Sequence, residues 1–374
     1  ITADGQVVTL TADADINGAG AVAGTDVTAK NLIIKTAENV TLDTNIEQIK
    51  ANVAYDLTLN EVDDLAVDLI NAGRKAKITA GGSILDSADD WIIDIVTPEL
   101  ELTAADSIGE EDNMLDLSTH QLTADATAGL INLRNVSDRY VEVSNLTAGK
   151  SVTLRAEGSG THGFTGLVKA KDGSVIITSE AGDLWFRDNQ VIATQDIKLD
   201  AYENDIYLGE DNEDDVRGLL QAGRNIDIWA EGYLWSDAEI IAEDNVYIGA
   251  YEEIILNGGG SVTANNGGVY AFAETGELEV YAPITAATEI VLETEDDRID
   301  INAKLTGTDV KLISLNGDIL SSVAGIIDAT TIKAYTGGEV DMVGKMKASD
   351  WVDIEAIGSV TADDIESGNV KVKT

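Results

Sequence analysis

A short alternating strand motif returns every 18–23 residues, with one longer step, over more than half of this chain, and few folds accommodate it. From residue 152 onward the motif starts at Val152, Val175, Ile197, Ile226, Val246, Val269, Ile290, Val310, Ile332, Val352 and Val370. Each start is followed two residues later by a second apolar or small residue, as in Ile226-Asp-Ile228 and Val246-Tyr-Ile248. Alternation by two places one face of each strand inward. The register extends beyond the strand. Six positions before the anchor stand Leu146, Val191, Leu220, Ile240, Ile284, Ile326 and Met346. Small residues recur four before (Ala193, Ala222, Ala242) and four after (Ala201, Ala230, Ala250, Thr294, Ser314, Thr336), marking bends. Eight or nine after comes another apolar residue, such as Ile206, Leu234, Ile254 or Ile299.

A period near twenty with two or three short strands excludes the longer, helix-rich tetratricopeptide, ankyrin and armadillo units. A propeller blade needs about forty residues, and a leucine-rich repeat needs a leucine frame with a fixed Asn. The pattern therefore predicts an all-β right-handed parallel β-helix, a solenoid of roughly 16–18 coils with about 20–22 residues per coil. It predicts one continuous domain over 1–374, less regular over 86–145. The one long step, Ile197 to Ile226, implies an acidic insertion loop over 203–224. Aromatic residues are 5% of the chain, so its core is built from aliphatic side chains.

Charge narrows the function. With 24 Lys and Arg against 68 Asp and Glu, the net charge is −44. Nucleic acid and anionic lipid, which both need a basic surface, are excluded as partners. With no cysteine there is neither a disulfide framework nor a thiolate metal site. No apolar run is long enough for a membrane span, so no membrane insertion is expected. The chain begins at Ile1 and shows no signal peptide, which reads as a processed product or a segment of a longer polypeptide.

Two stretches carry a family resemblance: Ile78-Thr-Ala-Gly-Gly-Ser-Ile-Leu-Asp86, and Leu102-Thr-Ala-Ala-Asp-Ser-Ile-Gly109 continuing to Leu130-Ile-Asn-Leu133. With the many Gly-x-Val and Gly-x-Ile turns, they resemble the repeats of filamentous-haemagglutinin-type adhesins of bacteria. The resemblance covers most of the chain and rests on coil grammar. It implies a β-helix exported to the bacterial cell surface, working as an adhesin, stalk or layer component. The Asn-Pro-containing secretion motif of that family does not occur in this sequence, which leaves the export route open.

Candidate chemistry is sparse. His120 and His162 read as loop residues. Clustered carboxylates occur at Asp89-Asp90, Glu110–Asp112, Glu210–Asp215, Glu295–Asp297 and Asp363-Asp364. Calcium takes six to eight oxygens, and the best candidate ligands are Glu210, Asp211, Glu213, Asp214 and Asp215; the alternative is a solvated acidic face. No other cofactor is expected. Trp185, Trp229, Tyr233 and Trp235 fall within 51 residues and form a candidate glycan-stacking patch; the alternative is large rings capping wide corners. The strand-like runs around Val7, Val8 and Leu10, and around Val370 and Val372, are candidate edges for head-to-tail self-stacking or for continuation into a larger surface protein. The function expected is a non-enzymatic extracellular structural protein. The alternatives are a polysaccharide-degrading β-helix enzyme and a calcium-dependent carbohydrate-binding module. An enzyme would need a groove with Lys or Arg flanked by acids and aromatics.

Overall fold

The computed structural model describes residues 1–18, 24–88, 90–187, 189–209 and 218–374. Among the described residues there are strands and turns and no helix. The chain is a parallel β-solenoid of right-handed type, with about 17 coils of roughly 21 residues each. It divides into two compact units, Ile1–Gly182 and Asp183–Thr374.

In the second unit most coils carry three strands. The five- and six-residue strands Ile197–Ala201, Ile226–Ala230, Val246–Ala250, Val269–Ala273, Glu289–Thr294 and Asp309–Ser314 form the first stack. Three-residue strands such as Ile206–Leu208, Leu234–Ser236 and Ile254–Leu256 form the second. Gln190–Ala193, Leu219–Ala222 and Glu239–Ala242 begin the third. In the last coils these merge into the long strands Ile327–Thr336, Val340–Ala356 and Val360–Lys373.

The period is realised as vertical columns. Ile197, Ile226, Val246, Val269, Ile290, Val310, Ile332, Val352 and Val370 pair in turn on successive rungs. A second column runs Ile206, Leu234, Ile254, Leu278, Ile299, Ile319, Val340 and Val360. Branched side chains suit this packing, because each rung seats its methyl groups on those of the rung below. Corners tolerate less volume. Ala201, Ala230, Ala250 and Ala273 stack there fully buried, followed by Thr294, Ser314 and Thr336. Where a hydroxyl replaces a methyl it is satisfied: Thr294 Oγ1 and Ser314 Oγ both donate to the Asp297 carbonyl, at 2.6 and 2.8 Å.

One inward position differs from its sequence offset. Ile326 is exposed, and its neighbour Ile327 sits inside on Leu305. The cause is the register shift at Ala329/Thr331, which shortens the offset to five on that coil.

A further column escapes notice in the sequence. The residue immediately before each anchor is commonly Asp, Asn or Ser, and its side chain accepts from the backbone of the next rung. Asp196 Oδ1 accepts from Asn225 N and Nδ2 (3.1 and 3.0 Å), Asn225 Oδ1 from Asn245 N and Nδ2 (both 3.2 Å), and Asn245 Oδ1 from Gly268 N (2.9 Å). These bonds reinforce the ladder in the turns, beside backbone bonds such as Arg224 N to Gln195 O at 3.0 Å. Asn225→Ala strands a half-buried amide of Asn245 and is expected to cost about 1–2 kcal/mol, measured by urea denaturation. A loss near zero would mean water replaces the side chain without penalty.

The first unit is built the same way with longer strands and more register shifts. Val40, Leu57, Ala76, Leu100, Leu122, Val143 and Phe164 form one column. Leu65, Ile84, Ile108, Ile131, Val152 and Val175 form another, which passes Ile108 as single bridges. Within 86–145 Glu99–Ala104 keeps register with Gln121–Ala126, and Ile131–Asn135 with Val152–Ala156, while one register shift falls inside a strand, at Leu122/Thr123 against Val141–Ala148. In the second unit Ile206–Leu208 and Leu219–Ala222, inside the stretch 203–224, are ladder strands. Ile197 pairs directly with Ile226, so the first stack keeps its register across the long step.

His162 is not in a loop. It is fully buried in the strand His162–Ala170. Its Nδ1 lies 3.0 Å from the Gly160 carbonyl and its Nε2 3.4 Å from Asn135 Nδ2, so both ring nitrogens have partners inside the coil. Asn135 in turn bonds the Thr119 backbone through both ends of its amide.

Candidate binding cleft

A departure from regular coil lies in the first unit. Outward positions of successive rungs place Asp116 against Arg134, and Arg134 against Arg155. The segment before Ile95, which carries Trp91 and Asp94, and the loop Glu110–Asn113 rise beside that ladder. The loop closes on itself through Glu110 N to Asn113 O (2.8 Å) and Asn113 N to Glu110 O (3.3 Å). It follows Gly109, whose φ of 74° and close approach to the Asn132 carbonyl leave no room for a Cβ. Asn132 Nδ2 ties the loop down by donating to the Glu110 carbonyl at 2.6 Å.

The result is a cleft of about 180 Å³ lined by Asp90, Trp91, Glu111, Asn132, Arg134 and Arg155, among others. Arg134 is held at its floor by Asp116 (2.6 Å) and Glu157 (2.7 Å). Arg155 pairs with Glu157 (3.0 Å) and Glu180 (3.2 Å). Both guanidiniums lie under the indole of Trp91, 4.7 and 5.4 Å from its centroid. Trp91 is nevertheless 66% exposed, as is Ile92 beside it. Asn132 is 6% exposed, and its Oδ1 has no hydrogen-bond partner among the described residues. Beneath the cleft lies Asp94, whose Oδ2 accepts from Asp116 N at 2.9 Å. Burial, then repulsion from Asp86 and Asp116, pushes the Asp94 carboxyl up to about 8. Burial also raises Asp116, and the Arg134 guanidinium opposes the shift.

The four aromatic residues singled out from the sequence fall on different surfaces of the second unit. Trp185 and Trp235 share one outward column with Tyr207 between them. The Trp185 and Tyr207 rings are 5.9 Å apart at 51°, and Arg187 lies 3.8 Å over Trp185. Tyr233 is in the preceding turn, its amide donating to Asp205 Oδ1 at 2.8 Å. Trp229 is in the first stack, its ring over Gly249 of the next rung. Beside it Tyr247 and Tyr270 stack at 5.0 Å and 11°. Rings stacked face to face spend those faces on each other, which leaves less for a sugar.

The proposed calcium ligands Glu210, Asp211, Glu213, Asp214 and Asp215 lie outside the described residues. Among the described residues, Glu253, Glu277 and Glu279 bring carboxylate oxygens within 4.8 Å of one another. Arg298 already supplies a positive charge there, 2.7 Å from Glu277 and 3.9 Å from Glu279. Burial and repulsion from Glu279 and Glu277 raise Glu253. Of the edge residues, Val8 and Leu10 stand on Leu32 and Ile34, while Val7 pairs with Asn31 and is exposed. Val370 and Val372 stand on Val352 and Ile354 and are about half exposed.

The sequence places Trp91 only in a loop or wider coil and Asn132 only inside the Leu130–Leu133 repeat stretch, and marks neither as a site residue, because they lie where the period is weakest. One signal was present: an exposed-type Trp-Ile-Ile run between Asp90 and Asp94 in a chain with five Trp. No family model, no curated protein and no solved structure matches this chain.

Proposed function

We propose that this chain is a non-enzymatic structural segment of a bacterial cell-surface protein, a stalk or adhesin portion working outside the cell. The observation that supports it most is the column from Ile197 to Val370, nine rungs paired without a break. Such stacking resists peeling at every coil, since each coil must give up its ladder bonds to its neighbour together. The carboxylates keep the outward faces hydrated, with cross-rung pairs such as Lys311–Glu289 (2.5 Å) and Lys371–Asp353 (2.9 Å) among them. The half-exposed Val370 and Val372 take a further rung in this reading, from the rest of a larger surface protein or from a second copy.

Single-molecule pulling tests it. Coils of roughly 21 residues are expected to peel singly or in small groups, each adding about 7 nm of contour length at ~3.4 Å per residue. Release of either unit in one low-force step would overturn the load-bearing reading. Release of reducing ends from a polysaccharide, abolished by one carboxylate substitution, would replace it with an enzyme.

A further inference from the structure

We propose that the cleft beside Trp91 is a binding site for one neutral hexopyranose unit of a glycan, with the exposed part of the Trp91 indole as the apolar contact and Asn132 Oδ1 as a hydroxyl acceptor. The inference does not rest on the stalk reading, since its geometry lies wholly in the first unit.

Three features of the cleft point to a sugar. The first is the indole. Two guanidiniums lie against the Trp91 ring, yet two-thirds of the residue remains in water. A large ring braced by two cations and left exposed is a contact surface, and the C–H face of a pyranose is the apolar surface that fits an aromatic face. The second is Asn132. Its amide nitrogen is engaged with the loop carbonyls, while its buried oxygen lacks a partner. A buried acceptor without a donor is costly, and a ligand hydroxyl would satisfy it. The third is size. At about 180 Å³ the cleft is below the range of drug-sized pockets and suits a single ring with the rest of the chain outside.

Charge selects the class of sugar. Asp90, Glu111, Asp112 and Asp116 line the cleft against Arg134 and Arg155, four carboxylates to two guanidiniums. Both guanidiniums are already paired to Asp116, Glu157 and Glu180. Uronic and sialic acids would meet uncompensated negative charge. A divalent cation is disfavoured by the guanidiniums, and among the described residues none of the cleft acids belongs to a group of three close enough to share one ion.

The test is titration of the whole chain with the methyl glycosides of glucose, galactose and mannose and with their neutral tetrasaccharides, followed by saturation-transfer NMR and calorimetry. Glucuronic acid, sialyllactose and calcium serve as separate arms. At least one neutral probe is expected to bind saturably with a Kd on the order of 1 mM, and Trp91→Ala to weaken it tenfold or more. Trp91 is exposed, so the variant should keep the wild-type circular dichroism. Trp229→Ala should leave the affinity unchanged. The proposal is overturned if no neutral probe binds at concentrations on the order of 10 mM, if Trp91→Ala binds as wild type, or if an acidic sugar or calcium binds in the cleft instead.

Discussion

Replacing Arg134 with Met is expected to destabilise the first unit by about 3–5 kcal/mol, the usual cost of stranding one member of a buried ion pair. The Arg134 and Asp116 side chains are 10% and 3% exposed, and Asp94 lies on the rung beneath. Without the guanidinium, Asp116 keeps its desolvation penalty and loses its counter-charge, next to a second buried carboxyl. The double variant Asp116→Asn/Arg134→Met removes the stranded charge and should recover a large part of the loss. Arg134→Lys should recover little, because one ammonium cannot reach Asp116 and Glu157 with the geometry of the fork. Urea denaturation followed by circular dichroism reads all three. If the single and double variants unfold at the same midpoint, the cost comes from lost packing and not from stranded charge.

Acid sensitivity carries the second large effect. Burial holds the folded His162 imidazole down at about 4, with the Gly160 carbonyl opposing weakly, while an unfolded imidazole titrates near 6.5. Between those values the unfolded chain binds the extra proton. The contribution of this group is therefore fully present above pH 6.5 and lost as pH falls to 4, about 3 kcal/mol in all. Asp94 works in the opposite sense. Its folded carboxyl is raised to about 8, so its contribution is complete below an unfolded value near 3.9 and declines as pH rises toward 8. The two slopes oppose each other between pH 4 and 6.5. The clean readout is thus a difference: the stability gap between wild type and His162→Phe should change by about 3 kcal/mol from pH 6.5 to pH 4. A gap that stays constant with pH would show that the ring is not buried neutral.

The coil columns were legible in the sequence because their signal is doubly redundant. Ile226, Val246, Val269 and Ile290 recur at a steady period, and each is followed two residues later by another inward residue. The column of polar residues before the anchors was not legible. Asp, Asn and Ser fill every face of so acidic a chain, and nothing in composition separates Asn225, a ladder member, from a hydrated surface Asn. Proximity in sequence also misled. Trp229 and Trp235 are six apart, but a corner intervenes, and their rings belong to separate columns. His162 could not be distinguished from a loop residue because the partners that permit its burial, Asn135 and the Gly160 carbonyl, are visible only once the coil closes. The cleft was hidden for a related reason. Its floor is a column of Asp116, Arg134 and Arg155, charged residues at positions where alternation calls for outward side chains of any kind.

The strands Ile206–Leu208 and Leu219–Ala222 are separated by ten residues, where their successors Leu234–Ser236 and Glu239–Ala242 are separated by two, yet each pair meets its counterpart in register. Chain length at this corner is thus uncoupled from the geometry of the scaffold. Since the flanking strands hold their register across a ten-residue separation and a two-residue one alike, a foreign peptide spliced between Leu208 and Leu219 is expected to leave both rungs paired, which makes the position a natural socket for an epitope or a tag.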